Sequence, residues 1–158
     1  MIVLVMGVAG VGKTTIGEPL ARALGWRFLD ADDYHPGENV AKMKAGIPLE
    51  DADRWPWLAR LNKILREEND AVLACSALKE SYRERLAQGI AEFTVVHLHG
   101  SAELIRARLE SRRHRFMPAA LLESQLAALE PPGEAIAVDV AATPEDCVAA
   151  ILVAVRQQ

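Results

Sequence analysis

Five short apolar runs punctuate the chain: Ile2-Val3-Leu4-Val5-Met6, a run near 27–30, Ala71-Val72-Leu73-Ala74-Cys75, a run near 93–98 and a last one near 136–140. Each is strand-length and bounded by polar or turn residues, which predicts buried β-strands. Between them, segments of helical length predict helices near 13–24, 54–68, 79–88, 101–112, 118–129 and 144–156. Gly25 suits the stop of the first helix, and Thr143-Pro144 the start of the last. Strands alternating with helices predict an α/β fold, a five-stranded parallel sheet sandwiched by helices with right-handed crossovers. Residues 37–57 interrupt this rhythm as a polar, helix-breaking insertion. Ligands of such sheets gather outside the carboxyl ends of the strands, so the residues just after each strand are where chemistry is expected.

The first of those strand ends carries Gly7-Val8-Ala9-Gly10-Val11-Gly12-Lys13-Thr14, which fits G-x-x-x-x-G-K-[ST] between a strand and a helix. Gly7, Gly10 and Gly12 allow a tight turn whose N–H groups surround phosphate oxygens. Lys13 adds charge for the outer phosphates, Thr14 offers its hydroxyl to Mg²⁺, and Thr15 is assigned with them to the nucleotide, at the start of a helix whose positive end faces the same anion. The expected architecture is therefore the phosphate-loop nucleoside-triphosphate hydrolase fold with a mobile lid.

Composition narrows the partners. At 158 residues and 51% hydrophobic, residues 1–158 are expected to form one ordinary globular domain. A net charge of −4 argues against general nucleic-acid binding, and no apolar run reaches the length of a membrane helix. The N-terminal run has no basic flank and is read as a core strand rather than a signal peptide. Cys75 and Cys147 have no metal-ligand spacing and read as reduced thiols of a cytoplasmic protein.

The remaining strand ends supply candidate chemistry. After the second strand stand Asp30, Asp32 and Asp33 with Tyr34 and His35. Asp30 is assigned to the Mg²⁺ shell, Asp32 to the acceptor hydroxyl as general base, and His35 to substrate contact. The insertion, about 33–57, can fold over an acceptor and supplies Lys42, Lys44 and Arg54 for an anionic group, while Trp55 and Trp57 are expected to pack in the core. The third strand lacks a terminal Asp, so metal binding falls to Asp30 or Asp32. Lys79 and Arg83, one helical turn apart, can both face the substrate. His97 and His99 share a strand face and read as an ordinary strand end. The basic segment 106–115 leads into a lid at about 112–118, in which Arg112 and Arg115 are assigned to the charge that develops on a migrating phosphoryl group. Val138 to Pro144 is placed by topology to border the adenine.

These residues together resemble the gluconate kinases, small phosphate-loop metabolite kinases related to shikimate kinase. The resemblance spans nearly the whole chain: the phosphate loop, Asp30 to Pro36, Asn39 with Lys42-Met43, Gly46 to Leu49, Asp53-Arg54 with Pro56-Trp57-Leu58, Cys75 to Lys79 with Tyr82-Arg83, and Leu121 to Gln125 leading to Leu129-Glu130-Pro131-Pro132. It implies ATP- and Mg²⁺-dependent phosphorylation of the 6-hydroxyl of D-gluconate by a cytoplasmic homodimer. Lys13, Asp32 and Arg112 would be catalytic, with Asp32, His35, Arg54, Lys79 and Arg83 around the sugar acid. Where such kinases tend to read Gly-His-Phe in the lid, this chain reads His114-Arg115-Phe116, so the arginine clamp is carried over and a lid-histidine role is not. A shikimate kinase would look glycine-rich at the end of the third strand, whereas Cys75-Ser76-Ala77-Leu78-Lys79 is similar to gluconate kinases. A GTPase-type switch would need Asn-Lys-x-Asp, and Asn62-Lys63-Ile64-Leu65 fails its fourth position.

Overall fold

The structure is a computed structural model and describes residues 1–111 and 119–158. Arg112, Arg115 and the expected lid lie outside the described residues. The strands are β1 (Ile2–Met6), β2 (Arg27–Asp30), β3 (Ala71–Ala74), β4 (Phe93–His99) and β5 (Ile136–Asp139). The helices are α1 (Lys13–Leu24), α2 (Gly37–Lys44), α3 (Asp51–Glu67), α4 (Glu80–Ala87), α5 (Ala102–Glu110), α6 (Ala119–Ala128) and α7 (Pro144–Arg156), with a 3-10 turn at Ala31–Tyr34. The strands form one parallel sheet in the order β2-β3-β1-β4-β5.

β1 is central and buried along its length. Its period-2 alternation divides the core. Val3 and Val5 face Ile16 and Leu20 of α1, Ile105 of α5 and Ile151 of α7. Ile2, Leu4 and Met6 face Leu58, Leu61 and Leu65 of α3 and Leu86 of α4. Burial of each such side chain contributes about 1.5–3 kcal/mol, so both faces of β1 anchor the sheet. The register sets Val5 and Asp30 each opposite Ala74. The carboxyl ends of β1, β2 and β3 therefore open at one level, and the loops leaving them share one rim.

The insertion differs from its sequence pattern. Residues 37–44 form α2, hidden from a pattern reading because the segment opens on Gly37 and is polar. Its order comes from outside: Asn39 donates to the Asp53 carbonyl at 2.9 Å, and the Lys42 ammonium sits 2.8 and 3.0 Å from the Asp53 carboxylate. Lys42 is thus a fastener between two helices rather than an open anion ligand. Helix α3 begins at Asp51, three residues before the expected start, because Glu50 and Asp53 form a capping box there, and it runs on through Pro56. Two residues apart on a helix means nearly opposite faces. Trp57 is buried and donates to the Ala31 carbonyl at 2.8 Å, whereas Trp55 is 39% exposed, edge-on to Tyr82, and not core.

Candidate active site

The phosphate loop is shaped by close approach as well as by turn geometry. A Cβ on Gly7 would lie 2.7 Å from the Leu98 carbonyl oxygen of β4, and Gly12 caps α1 at φ 96°, where a side chain is strained. The Lys13 ammonium folds back over the loop and donates to the Gly7 and Val8 carbonyls, both at 3.1 Å. The Ala9 N–H donates to the Gln125 side-chain oxygen at 2.7 Å, tying the loop to α6.

Asp30 and Asp32 stand in different surroundings. One Asp30 oxygen accepts from the Asp32 N–H at 3.0 Å and caps the 3-10 turn; the other lies 3.5 Å from the Thr14 hydroxyl. Asp32 itself is left with a 79% exposed side chain. His35 is buried, stacked on Trp57 with ring centroids 4.1 Å apart, and its Nε2 lies 3.9 Å from Asp32. Asn39 presents its NH₂ to His35 Nδ1 at 3.2 Å while also donating to Asp53, so Nδ1 accepts and the neutral ring carries its proton on Nε2, toward Asp32. Burial lowers the His35 pKa, outweighing the opposing pull of Asp32, so the ring is neutral at pH 7. Burial likewise pushes the Cys75 thiol at the end of β3 up to about 12; Lys13, Asp32 and Asp30 all act on it, which marks where they converge.

A cationic group stands at the start of α3 and the loop before α4. Arg54 and Lys79 flank the Tyr82 ring, with guanidinium and ammonium 5.5 and 5.6 Å from its centroid. Both reach toward one carboxylate, Asp51: Lys79 at 3.3 and 3.4 Å, Arg54 at 3.8 Å. Tyr82 donates its hydroxyl to the same group. Arg54 is also close enough to His35 to act on its charge. Asp51 and Tyr82 had no role assigned from sequence; the signal was the i,i+3 spacing of Asp51 to Arg54 and of Lys79 to Tyr82.

Arg83 is a correction. It does not share the open face of Lys79; its side chain is 4% exposed and donates to the Ala77 and Glu130 carbonyls, both at 2.7 Å, and to the Glu80 carboxylate at 2.8 Å. Ala77 has φ 44°, a conformation that costs a non-glycine residue about 1–2 kcal/mol and that the Arg83 contact helps to hold. Arg83 therefore fixes the loop that carries Lys79.

On the other side of the loop lies a cavity of about 300 Å³ lined by Gly10, Gly12, Thr15, Arg108, Val140 and Pro144 among others. Arg108 donates to the Val140 carbonyl and closes the wall between α5 and the exit of β5. The segment expected beside the adenine does line a cavity contiguous with the phosphate loop. Arg108 was hidden within a basic run that sequence read as one block.

The chain is similar to known proteins in sequence and in fold. A family model described as shikimate kinase matches residues 9–130. The gluconokinase of Gluconobacter oxydans (strain 621H) is 51% identical over 135 residues, which cover 83% of this chain and 76% of the relative. A probable gluconokinase of Xenopus tropicalis is 47% identical over 162 residues, covering 89% of this chain and 85% of the relative. The crystal structure of a gluconokinase from Sinorhizobium meliloti 1021 superposes with a TM-score of 0.91 at 43% identity, covering 98% of this chain and 91% of that one.

Proposed function

The chain belongs to the gluconokinase branch of the shikimate kinase family, and we propose that it phosphorylates the 6-hydroxyl of D-gluconate with ATP, giving 6-phospho-D-gluconate and ADP. The observation that carries the proposal is the placement of an exposed carboxylate, Asp32, beside the phosphate loop and within reach, through His35, of the Arg54–Lys79 cation pair. A base for a hydroxyl and a cationic grip for an acid are what a sugar-acid kinase requires.

In the proposed reaction Lys13 and the loop N–H groups hold the outer phosphates of ATP. Arg54, Lys79 and His35 orient the sugar acid so that its terminal hydroxyl points at the γ-phosphorus. Asp32 accepts the hydroxyl proton as the oxygen attacks in line; the bond from γ-phosphorus to the β–γ bridging oxygen breaks, and ADP leaves. Arg112 and Arg115, which lie outside the described residues, are assigned from sequence to the charge on the migrating group. The Thr14 hydroxyl and Asp30 carboxylate, 3.5 Å apart, are the hard oxygen donors Mg²⁺ takes when it also keeps water and phosphate ligands. Bound there, Mg²⁺ would neutralise phosphate charge. The cavity by Arg108 and Pro144 is proposed to take the adenine.

Residues 1–158 are proposed to act as one kinase domain, as a cytoplasmic homodimer, on the strength of the family resemblance. Among the described residues no helix is long and apolar enough to cross a membrane, and the net charge of −4 suits small-molecule partners rather than nucleic acid.

The test is ADP release from Mg-ATP with D-gluconate, with shikimate or with no acceptor. Turnover dependent on gluconate supports the proposal; turnover dependent on shikimate would move the chain to the other branch.

A further inference from the structure

Asp51 and Asp53 stand in the same first turn of α3, yet their surroundings differ. The Asp53 carboxylate is enclosed by the Lys42 ammonium and the Glu50 N–H and is mostly buried. Asp51 has a 48% exposed side chain, and its partners are Lys79, Arg54 and Tyr82. Those are the two cations assigned above to the acceptor, plus a hydroxyl between them. The cations are themselves partly open, with side-chain exposures of 36% for Lys79 and 31% for Arg54. A small ligand from solvent can therefore reach the same atoms.

We propose that the Asp51 carboxylate is a built-in stand-in for the acceptor's carboxylate, holding Lys79, Arg54 and Tyr82 in place in the acceptor-free protein and giving them up when a sugar acid binds. This rests on the proposed acceptor pocket and names what selects its substrate class. Two cations without a counter-ion would repel each other and scatter their long side chains, so the stand-in keeps the pocket organised at little entropic cost to the incoming acid. The exchange is carboxylate for carboxylate, so neither cation is left unpaired. When displaced, Asp51 remains at the first position of α3, where the positive end of the helix favours a negative side chain. Hydrogen bonding from Tyr82 and Lys79 holds the Asp51 carboxyl below the usual carboxylate range, so the stand-in stays ionised.

The arrangement also discriminates. A neutral polyol of the same length offers hydroxyls but no charge, and cannot replace Asp51 on both cations. An acid can. Selectivity for acids over polyols is thus set by competition from within the site, a form of discrimination against the wrong ligand.

The experiment compares the unmodified protein with Asp51→Asn and Lys79→Met. Removing the competitor should lower the KM for D-gluconate about two- to fivefold, the size of one exposed ion pair, with the KM for ATP unchanged. A gluconate KM that rises or stays level in Asp51→Asn, or a variant that no longer folds, would overturn the proposal by showing a grip, a bystander or a structural brace. Lys79→Met should raise the gluconate KM; no change there would remove Lys79 from the pocket and sink the acceptor reading itself. On the unmodified protein, a crystal structure with D-gluconate should show its carboxylate hydrogen-bonded to Lys79 or Arg54 and Asp51 parted from Tyr82. Asp51 still bonded to Tyr82 beside bound gluconate would contradict the exchange.

Discussion

Replacing Arg83 by methionine separates two accounts of one residue. Sequence places Arg83 one turn from Lys79 and facing substrate; the structure buries it against the Ala77 and Glu130 carbonyls. Methionine keeps most of the apolar stem and removes the guanidinium. The buried Ala77 carbonyl then loses a charged donor, at about 1–3 kcal/mol, and the Glu130 carbonyl, at an exposed residue where water can take over, loses about 0.5–1.5 kcal/mol. The Glu80 contact adds under about 1 kcal/mol, since that carboxylate is 57% exposed. At about 3 °C per kcal/mol for a chain of 158 residues, a total of about 2–5 kcal/mol should lower the melting temperature by about 6–15 °C. Circular-dichroism melts and steady-state kinetics well below the transition provide the assay. The acceptor KM should change much less than stability, because Arg83 acts through the loop that carries Lys79. A melting temperature within about 2 °C of the parent, together with a gluconate KM raised more than about tenfold, would refute the structural role and restore direct contact.

Asp32→Asn should lower kcat by about 10²–10⁴ while ATP binding is kept; loss of nucleotide binding instead would move Asp32 from the acceptor to the metal. Gly7→Ala forces a Cβ to 2.7 Å from the Leu98 carbonyl oxygen and should cost about 1–3 kcal/mol of stability and weaken ATP binding; a variant with parental melting and ATP KM would show that the loop has room. Burial lowers the pKa of His35 and of His97, so protonation favours the unfolded chain: their contribution is complete above about pH 6.5 and is lost as pH falls below that toward the folded-state values. Thermal stability should therefore decline from about pH 7.5 to about pH 5.5, and His35→Gln and His97→Gln should each flatten the decline. A slope that neither substitution alters would contradict the assignment.

What sequence reveals here follows from the range of each interaction. β1 and the phosphate loop are local: an unbroken apolar run, glycines at fixed positions and a lysine at a helix start leave little freedom, and the structure places them as the pattern implies. Capping of the 3-10 turn by Asp30, which leaves Asp32 open, is also local. Charge is legible, but a charge's partner is not. Lys42, Arg54, Lys79 and Arg83 look alike along the chain; only folding shows that Asp53 holds the first, two carbonyls hold the last, and the middle pair share Asp51. The Ala9 to Gln125 bond spans 116 positions and carries no local signal. Helix α2 escapes a propensity reading because tertiary contacts from Asn39 and Lys42, rather than its own sequence, hold it.

The central claim is transfer of a phosphoryl group to the terminal hydroxyl of a sugar acid. Its most direct test is NMR of the product formed from Mg-ATP and D-gluconate, reading which carbon couples to phosphorus. Coupling at C6, with ADP formed in equal amount, is the result the account predicts. Phosphorus on another carbon would contradict the placement of Asp32 against the terminal hydroxyl. ADP without any phosphorylated gluconate would contradict the acceptor pocket built from Arg54, Lys79 and His35.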